Sequence, residues 1–255
     1  MPEGDTIFRA ARALNQVLAG RTVTGFTSVF PHLTRVDHHT PLAGQTVERV
    51  EAIGKHLLIW FSGGLVLRTH MRMSGSWHIY RPGERWQRPR HQMRILVETA
   101  EMHAVAFEVP VAELVTPDVL ERSGVIDRLG PDLLAEPFDA REAAARISAG
   151  GDRAIADALL DQSAIAGIGN IYKSEALFAA RVNPFALVST LQPQQIARTV
   201  EMAVRLMRAA ALGGRAPRRV YDRAGEPCRR CGTQILVRKQ GPHARRTYWC
   251  ANCQG

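Results

Sequence analysis

The chain has 255 residues, 45% of them hydrophobic and 22% charged, which is too apolar for a disordered polymer and lacks the repeat bias of a fibrous one. Lys and Arg number 33 against 24 Asp and Glu, and the resulting charge of +9 points to a polyanionic partner. The longest apolar runs, such as 57–61 and 65–67, fall far short of the roughly 18 residues of a membrane helix. The Met1-Pro2-Glu3-Gly4-Asp5 start carries acids where a signal peptide carries positive charge, so the expectation is a cytoplasmic protein with no membrane partner.

A first helix is predicted over 2–19, where Ile7, Ala11, Leu14 and Leu18 keep a 3.6-residue period before Gly20. The pattern then switches to strands at 21–29, 46–53, 56–61, 65–71, 75–80, 93–99 and 103–109, joined by hairpin-like connections at Gly54-Lys55, Gly63-Gly64 and Ala100-Glu101. Strands this closely spaced, without intervening helices, predict an antiparallel sandwich or barrel ending near Val115. Helical periodicity begins at Pro117, with short helices over 117–122 and 140–149, the second opened by an Asp139-x-x-Glu142 capping box. Longer signals follow over 152–161, 170–181 and 193–212, the first two separated by a glycine-containing turn at 163–170. A helix, a glycine turn and a second helix bind nucleic acid when amides at the second helix's start meet a phosphate.

Cys228, Cys231, Cys250 and Cys253 are the only cysteines, and they form two C-x2-C pairs separated by 18 residues. This spacing suits four thiolates on one zinc ion in a ribbon, a closed and therefore structural site. Residues 233–239 and 245–249 read as its two strands around Gly241-Pro242. From Arg215 onward there are ten Lys and Arg against Asp222 and Glu226, a balance of +8 in 41 residues, which is an electrostatic footprint for a phosphodiester backbone.

The Met1-Pro2-Glu3-Gly4 start, the run Gly-Ile-Gly-Asn-Ile-Tyr-Lys-Ser-Glu at 167–175 and the closing Tyr-Trp-Cys-Ala-Asn-Cys-Gln at 248–254 resemble, in that order, the formamidopyrimidine-DNA glycosylase and endonuclease VIII family. The resemblance implies an α+β multidomain fold: an N-terminal helix plus antiparallel β-sandwich (1–116), a helical helix-two-turn-helix domain (117–214), and a linker with a four-cysteine zinc ribbon (215–255). It implies a monomeric, nucleoid-associated repair enzyme of the endonuclease VIII type. Such an enzyme excises oxidised pyrimidines from damaged double-stranded or single-stranded DNA, then cuts the strand by β- and δ-elimination.

Once Met1 is removed, Pro2 presents a secondary amine whose pKa, near 8 for an α-amine, leaves more of it neutral than a lysine. Attack on a deoxyribose C1′ gives an iminium, and Glu3 beside it can carry a proton to and from the sugar oxygen. The resemblance adds Lys55 as a lysine that reaches the DNA backbone and assists catalysis. It makes Asn170 and Arg245 grips on the phosphates around an extruded nucleotide, Met73 a wedge in the emptied stack, and Arg72 a contact to the orphaned base. By themselves these residues also read as an ordinary helix start, a hairpin lysine, an N-cap, a strand arginine and a core methionine. Arg246 falls on the opposite strand face from Arg245, and His56 and His70 read as structural histidines.

The sequence departs from the family at several places. Thr6 stands where a second glutamate is usual, with Asp5 about 100° away around the helix. The Arg-Arg-Phe segment of the formamidopyrimidine enzymes is replaced by Val-Pro-Val-Ala-Glu-Leu at 109–114, and the 212–228 link is too short for the loop that caps 8-oxoguanine. Both favour oxidised pyrimidines. A lysine usual before the two-turn motif is missing from 154–160. The alternative from another class is a non-catalytic, zinc-containing binder of damaged or single-stranded DNA, which would tolerate loss of the Pro2 amine.

Overall fold

The computed structural model describes residues 2–216 and 218–255. The chain forms two compact units, Pro2 with Thr6–Asp127 and Glu3–Asp5 with Arg128–Gly255.

Helix α1 (Gly4–Leu18) buries Ile7, Ala11, Leu14 and Leu18, the stripe its period predicts. In the first unit the chain then runs through β1 (Val23–Ser28), α2 (Pro31–His39), β2 (Val47–Ile53), β3 (His56–Phe61), β4 (Leu65–His70), β5 (Ser76–Tyr80), β6 (Met93–Thr99), β7 (His103–Phe107), β8 (Val111–Val115) and α3 (Pro117–Ser123). All strand pairs are antiparallel, in two four-stranded sheets ordered β1-β6-β7-β5 and β2-β3-β4-β8. Alternate residues of both sheets, such as Leu57, Ile59 and Phe61 of β3 and Ala104 and Ala106 of β7, meet in one core with α1.

The other sheet faces are covered too, which is why β3 and β7 read as nearly continuous apolar runs. Leu58 and Val66 lie under Leu120 of α3, while Val105, Phe107 and Tyr80 lie under Trp86 from the β5–β6 loop. Two expectations are corrected in this region. Helix α2 interrupts the strand series; it is nine residues long and buries only Leu33, too little apolar signal to register as a helix. The 103–109 strand stops at Phe107, because Glu108 adopts a left-handed backbone (φ 50°) with its amide turned to Gln92 O, and β8 starts afresh.

The second unit packs α4 (Ala140–Ser148), α5 (Ile155–Ala158), α6 (Asn170–Ala180) and α7 (Pro193–Ala211) around Ile155, Leu159, Ile165, Tyr172, Leu177, Ile196, Val200 and Met207. Asp139 caps α4, accepting from Arg141 N and Glu142 N at 2.9 Å. The helix expected over 152–161 is a single turn. Ala154 is extended and bridges Leu187, and the amides of Ile155 and Ala156 turn to Ala186 O and Pro184 O. A two-stranded ribbon of β9 (Ile235–Gln240) and β10 (Arg245–Cys250) follows, closed by α8 (Ala251–Gln254). Its small core of Val220, Cys228, Ile235, Tyr248 and Cys250 includes Phe178 of α6, so the ribbon docks on that helix. Among the described residues no helix is long and apolar enough to cross a membrane.

Candidate functional site

In the first unit, Pro2 lines a cavity of about 290 Å³ with Thr6, Met71, Met73, Ser74, Trp77 and Arg88. The turn after β4 supplies its methionines. Arg72 sits in this turn with φ 51° and its amide donates to His70 Nδ1 at 3.1 Å, while Gly75 N donates to Met71 O at 2.9 Å. Met71 is buried, but Met73 is 60% exposed, so the core-methionine reading does not describe it.

Lys55 is half-buried in the turn from β2 to β3. The next residue, His56, pairs across the ladder with His70, their rings 5.0 Å apart and nearly edge-on. Arg68 Nη1 donates to His56 Nδ1 at 2.9 Å; a guanidinium has no acceptor, so this ring nitrogen carries no proton. Burial, with the charges of Arg68, Arg72 and Lys55 nearby, lowers His56 to about 3 and His70 to about 4. Both rings are therefore neutral at pH 7. The fold thus gathers Lys55, Arg68 and Arg72 around one uncharged pair, with Arg68 held by Glu113 Oε2 at 2.8 Å.

In the second unit the carboxylate of Glu3, only 1% exposed, closes the N-terminus of α6. Ile171 N donates to its Oε1 at 2.7 Å, and Gly169 N and Tyr172 N to its Oε2 at 2.9 and 3.3 Å. Helix N-terminal amides are unsatisfied donors, and here an acid distant in sequence accepts them. Glycines permit the approach. A Cβ on Gly169 would collide with the Glu3 carboxylate, and Gly167, at φ 97°, accepts from Gly4 N at 3.0 Å.

Asn170 is the first helical residue and the cap position belongs to Gly169, so Asn170 does not act as an N-cap. Its side chain reaches the ribbon, donating to Arg246 O at 2.8 Å, and accepts from Lys173 Nζ at 2.7 Å. Lys173 Nζ also donates to Thr247 Oγ1 at 2.9 Å and Arg246 O at 3.3 Å. Burial pushes this ammonium down to about 8, with Asp157 and Glu3 opposing the shift. Arg245 shares a strand face with Thr247, turned toward α6. Arg246 lies on the other face, beside Lys239 and Tyr248 in a separate concavity. Glu175 fixes the approach to the ribbon, its Oε1 accepting from the amides of Arg219, Val220 and Tyr221 at 2.8–2.9 Å.

The four cysteine sulfurs lie within 4.8 Å of one another, and two of their separations are 3.4 and 3.9 Å. Tetrahedral ligands about 2.3 Å from one ion would stand roughly 3.8 Å apart, so the cluster can hold a metal ion.

The N-terminal domain of formamidopyrimidine-DNA glycosylase matches residues 1–110, and the H2TH domain of that family matches residues 129–219. A Streptomyces coelicolor protein named "Probable endonuclease 8 2" is 41% identical over all of this chain and 94% of its own length. The chain belongs to the formamidopyrimidine-DNA glycosylase and endonuclease 8 family. A Mycolicibacterium smegmatis relative, "DNA-(apurinic or apyrimidinic site) lyase Nei2", is 39% identical over all of this chain and 99% of its own. The Lactococcus lactis formamidopyrimidine-DNA glycosylase, solved with DNA containing an AP site, shares the fold with a TM-score of 0.86 over 99% of each chain at 23% identity.

Within this endonuclease 8-like glycosylase, sequence reading missed Lys173, Glu175, Arg68 and the amide cradle around Glu3. Ten of the 11 residues of α6 are buried, polar ones included, so no amphipathic pattern marked which would face a partner. For Glu3 the available signal was the pair of glycines at 167 and 169, which leave room for a side chain from elsewhere.

Proposed function

We propose that the chain is a bifunctional DNA glycosylase and AP lyase that acts as a monomer on oxidised pyrimidines in damaged double-stranded or single-stranded DNA. The observation that carries the reading is Pro2 on the wall of a cavity beside an exposed Met73, with the carboxylate of the very next residue fixed by three amides.

After removal of Met1, the Pro2 nitrogen attacks C1′, a C1′–N bond to the enzyme replaces the glycosidic bond, and the base departs with a proton. Glu3 delivers a proton to the sugar ring oxygen, the ring opens, and the secondary amine becomes an iminium with no N–H left to lose. Loss of a C2′ proton expels the 3′ phosphate, a second elimination expels the 5′ phosphate, and water releases the sugar fragment from Pro2. Lys55 sits among the cations around His56 and His70, suited to a backbone phosphate. Asn170 and Arg245 grip the phosphates of the extruded nucleotide, while Met73 and Arg72 occupy the space it leaves. Cys228, Cys231, Cys250 and Cys253 would hold one structural zinc, which would order the strand pair that carries Arg245. The short 212–228 link and the Val-Pro-Val-Ala-Glu-Leu segment favour pyrimidine lesions.

The test is borohydride trapping of the untagged protein, with Met1 removal verified by mass spectrometry, on DNA carrying an abasic site or thymine glycol. An adduct mapped to Pro2 on both substrates is expected. Trapping on the abasic site alone would reduce the activity to a lyase, and no adduct with DNA binding intact would replace it with a binder.

A further inference from the structure

The charge of the C-terminal region obscures a second basic segment. Residues 81–92 carry Arg81, Arg85, Arg88 and Arg90 against Glu84, in the loop joining β5 to β6. The loop is built rather than loose. Trp86 seats on Phe107, their rings 5.6 Å apart and nearly perpendicular, and Arg90 lies over Trp86 at 5.4 Å. A cavity of about 560 Å³ opens in it, lined by Arg85, Trp86, Arg88 and Arg90. Arg88 also lines the Pro2 cavity, where among the described residues it is the one charged side chain.

Arg88 is also aimed. Glu108 Oε2 accepts from its Nη1 at 2.8 Å, and both side chains remain about one-third exposed, at 32% and 35%. Glu108 follows β7 directly in a left-handed conformation that non-glycine residues seldom adopt, and its amide is tied to Gln92 O at 2.8 Å. An irregular backbone thus holds the carboxylate that orients the guanidinium, an arrangement typical of residues that contact ligands. With one edge engaged by Glu108, the planar guanidinium still offers donors on its other edges toward the cavity.

We propose that Arg88 is a base-contacting residue that donates hydrogen bonds to the ring carbonyl oxygens of the damaged pyrimidine attached to the sugar at Pro2. The inference rests on the glycosylase reading above. Pyrimidines oxidised at C5 and C6 lose their aromatic face but keep carbonyl oxygens at C2 and, in thymine and uracil derivatives, at C4, so acceptors are what such bases share. The rest of the cavity wall is largely apolar or hydroxyl-bearing, and a single arginine supplies the direction.

The test separates base contact from phosphate contact, since an abasic site has no base. Arg88→Ala should slow single-turnover excision of thymine glycol from a duplex about tenfold. Borohydride trapping on a preformed abasic site should stay within about twofold of wild type, which also reports a folded chain. Glu108→Gln, keeping the shape but weakening the orienting charge, should give a smaller loss of the same kind. Binding by fluorescence anisotropy supplies a readout without chemistry: wild type should prefer a thymine glycol duplex over a tetrahydrofuran abasic analogue, and Arg88→Ala should lose that preference. Equal loss of excision and trapping in Arg88→Ala would mark a phosphate or structural role and overturn the proposal, as would no loss of either. Absence of trapping in wild type, with the anisotropy preference and its dependence on Arg88 retained, would overturn the Pro2 chemistry and leave the base contact standing.

Discussion

Gly169→Ala tests whether the seat of Glu3 is as constrained as its contacts imply. The backbone at Gly169 is extended (φ −123°, ψ −160°), so alanine carries no conformational penalty there. The whole effect therefore comes from the new methyl group, which would stand 2.6 Å from Glu3 Oε1 and 2.7 Å from its Cγ. The carboxylate carbon is nearer still, so reaching ordinary contact near 3.4 Å obliges the carboxylate to withdraw by roughly 1 Å. The bonds from Ile171 N and Gly169 N, now 2.7 and 2.9 Å, would then stretch to the limit of hydrogen bonding. Hydrogen bonds to charged groups contribute about 1.5–3 kcal/mol each, so losing one or two costs about 2–5 kcal/mol. Urea unfolding followed by circular dichroism measures the stability change, and amide exchange at residues 169–172 should quicken with it. Because the displaced acid adjoins the amine proposed to react, abasic-site trapping should fall by about tenfold to a hundredfold. The decisive control is a double-mutant cycle with Glu3→Ala. Without the carboxylate to collide with, Gly169→Ala should cost less than about 0.5 kcal/mol. An equal cost in both backgrounds would mean that the methyl group does not act through Glu3.

Four further outcomes are expected. Lys173→Met removes the ammonium that links Asn170 Oδ1 to Thr247 Oγ1 and leaves the buried amide oxygen without that donor, so DNA affinity should fall and unfolding free energy should drop by about 1–3 kcal/mol; unchanged affinity in a binding titration would count against this link. His56, lowered to about 3 from an ordinary 6.5, binds its proton more readily when unfolded. Its contribution to stability should therefore be level above pH 6.5 and fall as pH drops toward 3, by up to about 1.4 kcal/mol per pH unit, with His70 adding a similar slope down to pH 4, and His56→Gln should make this part of the curve shallower in acid-titrated urea melts. Met73→Ala, at an exposed position, should leave stability within about 0.5 kcal/mol, yet slow excision from duplex more than from single strands, where no stack needs filling. Chelation, or Cys228→Ser, should release one metal ion per chain measured by elemental analysis, loosen β9 and β10, and weaken DNA binding, with the sandwich strands intact by circular dichroism.

Most element classes and the chemistry of the tail were legible in the sequence. The 3.6-residue stripe of Ile7, Ala11, Leu14 and Leu18 is the buried stripe of α1, and the short connections at Gly54-Lys55 and Gly63-Gly64 join antiparallel neighbours as expected. The cysteine spacing alone specified the cluster that closes at the ribbon. These signals are local: periodicity, turn chemistry and ligand spacing act over a few residues or within one small module. Tertiary structure decided everything that depends on partners far along the chain. It turned α2 into a helix on the strength of one buried leucine, and it cut the 152–161 signal to one turn by offering its amides to residues 184 and 186. It also gave Glu3 its role at the N-terminus of α6, 166 residues or more away, and brought Lys55, Arg68 and Arg72 around His56 and His70. A buried polar group is stable only where its partners are, and those partners are set by packing rather than by neighbouring residues in the chain.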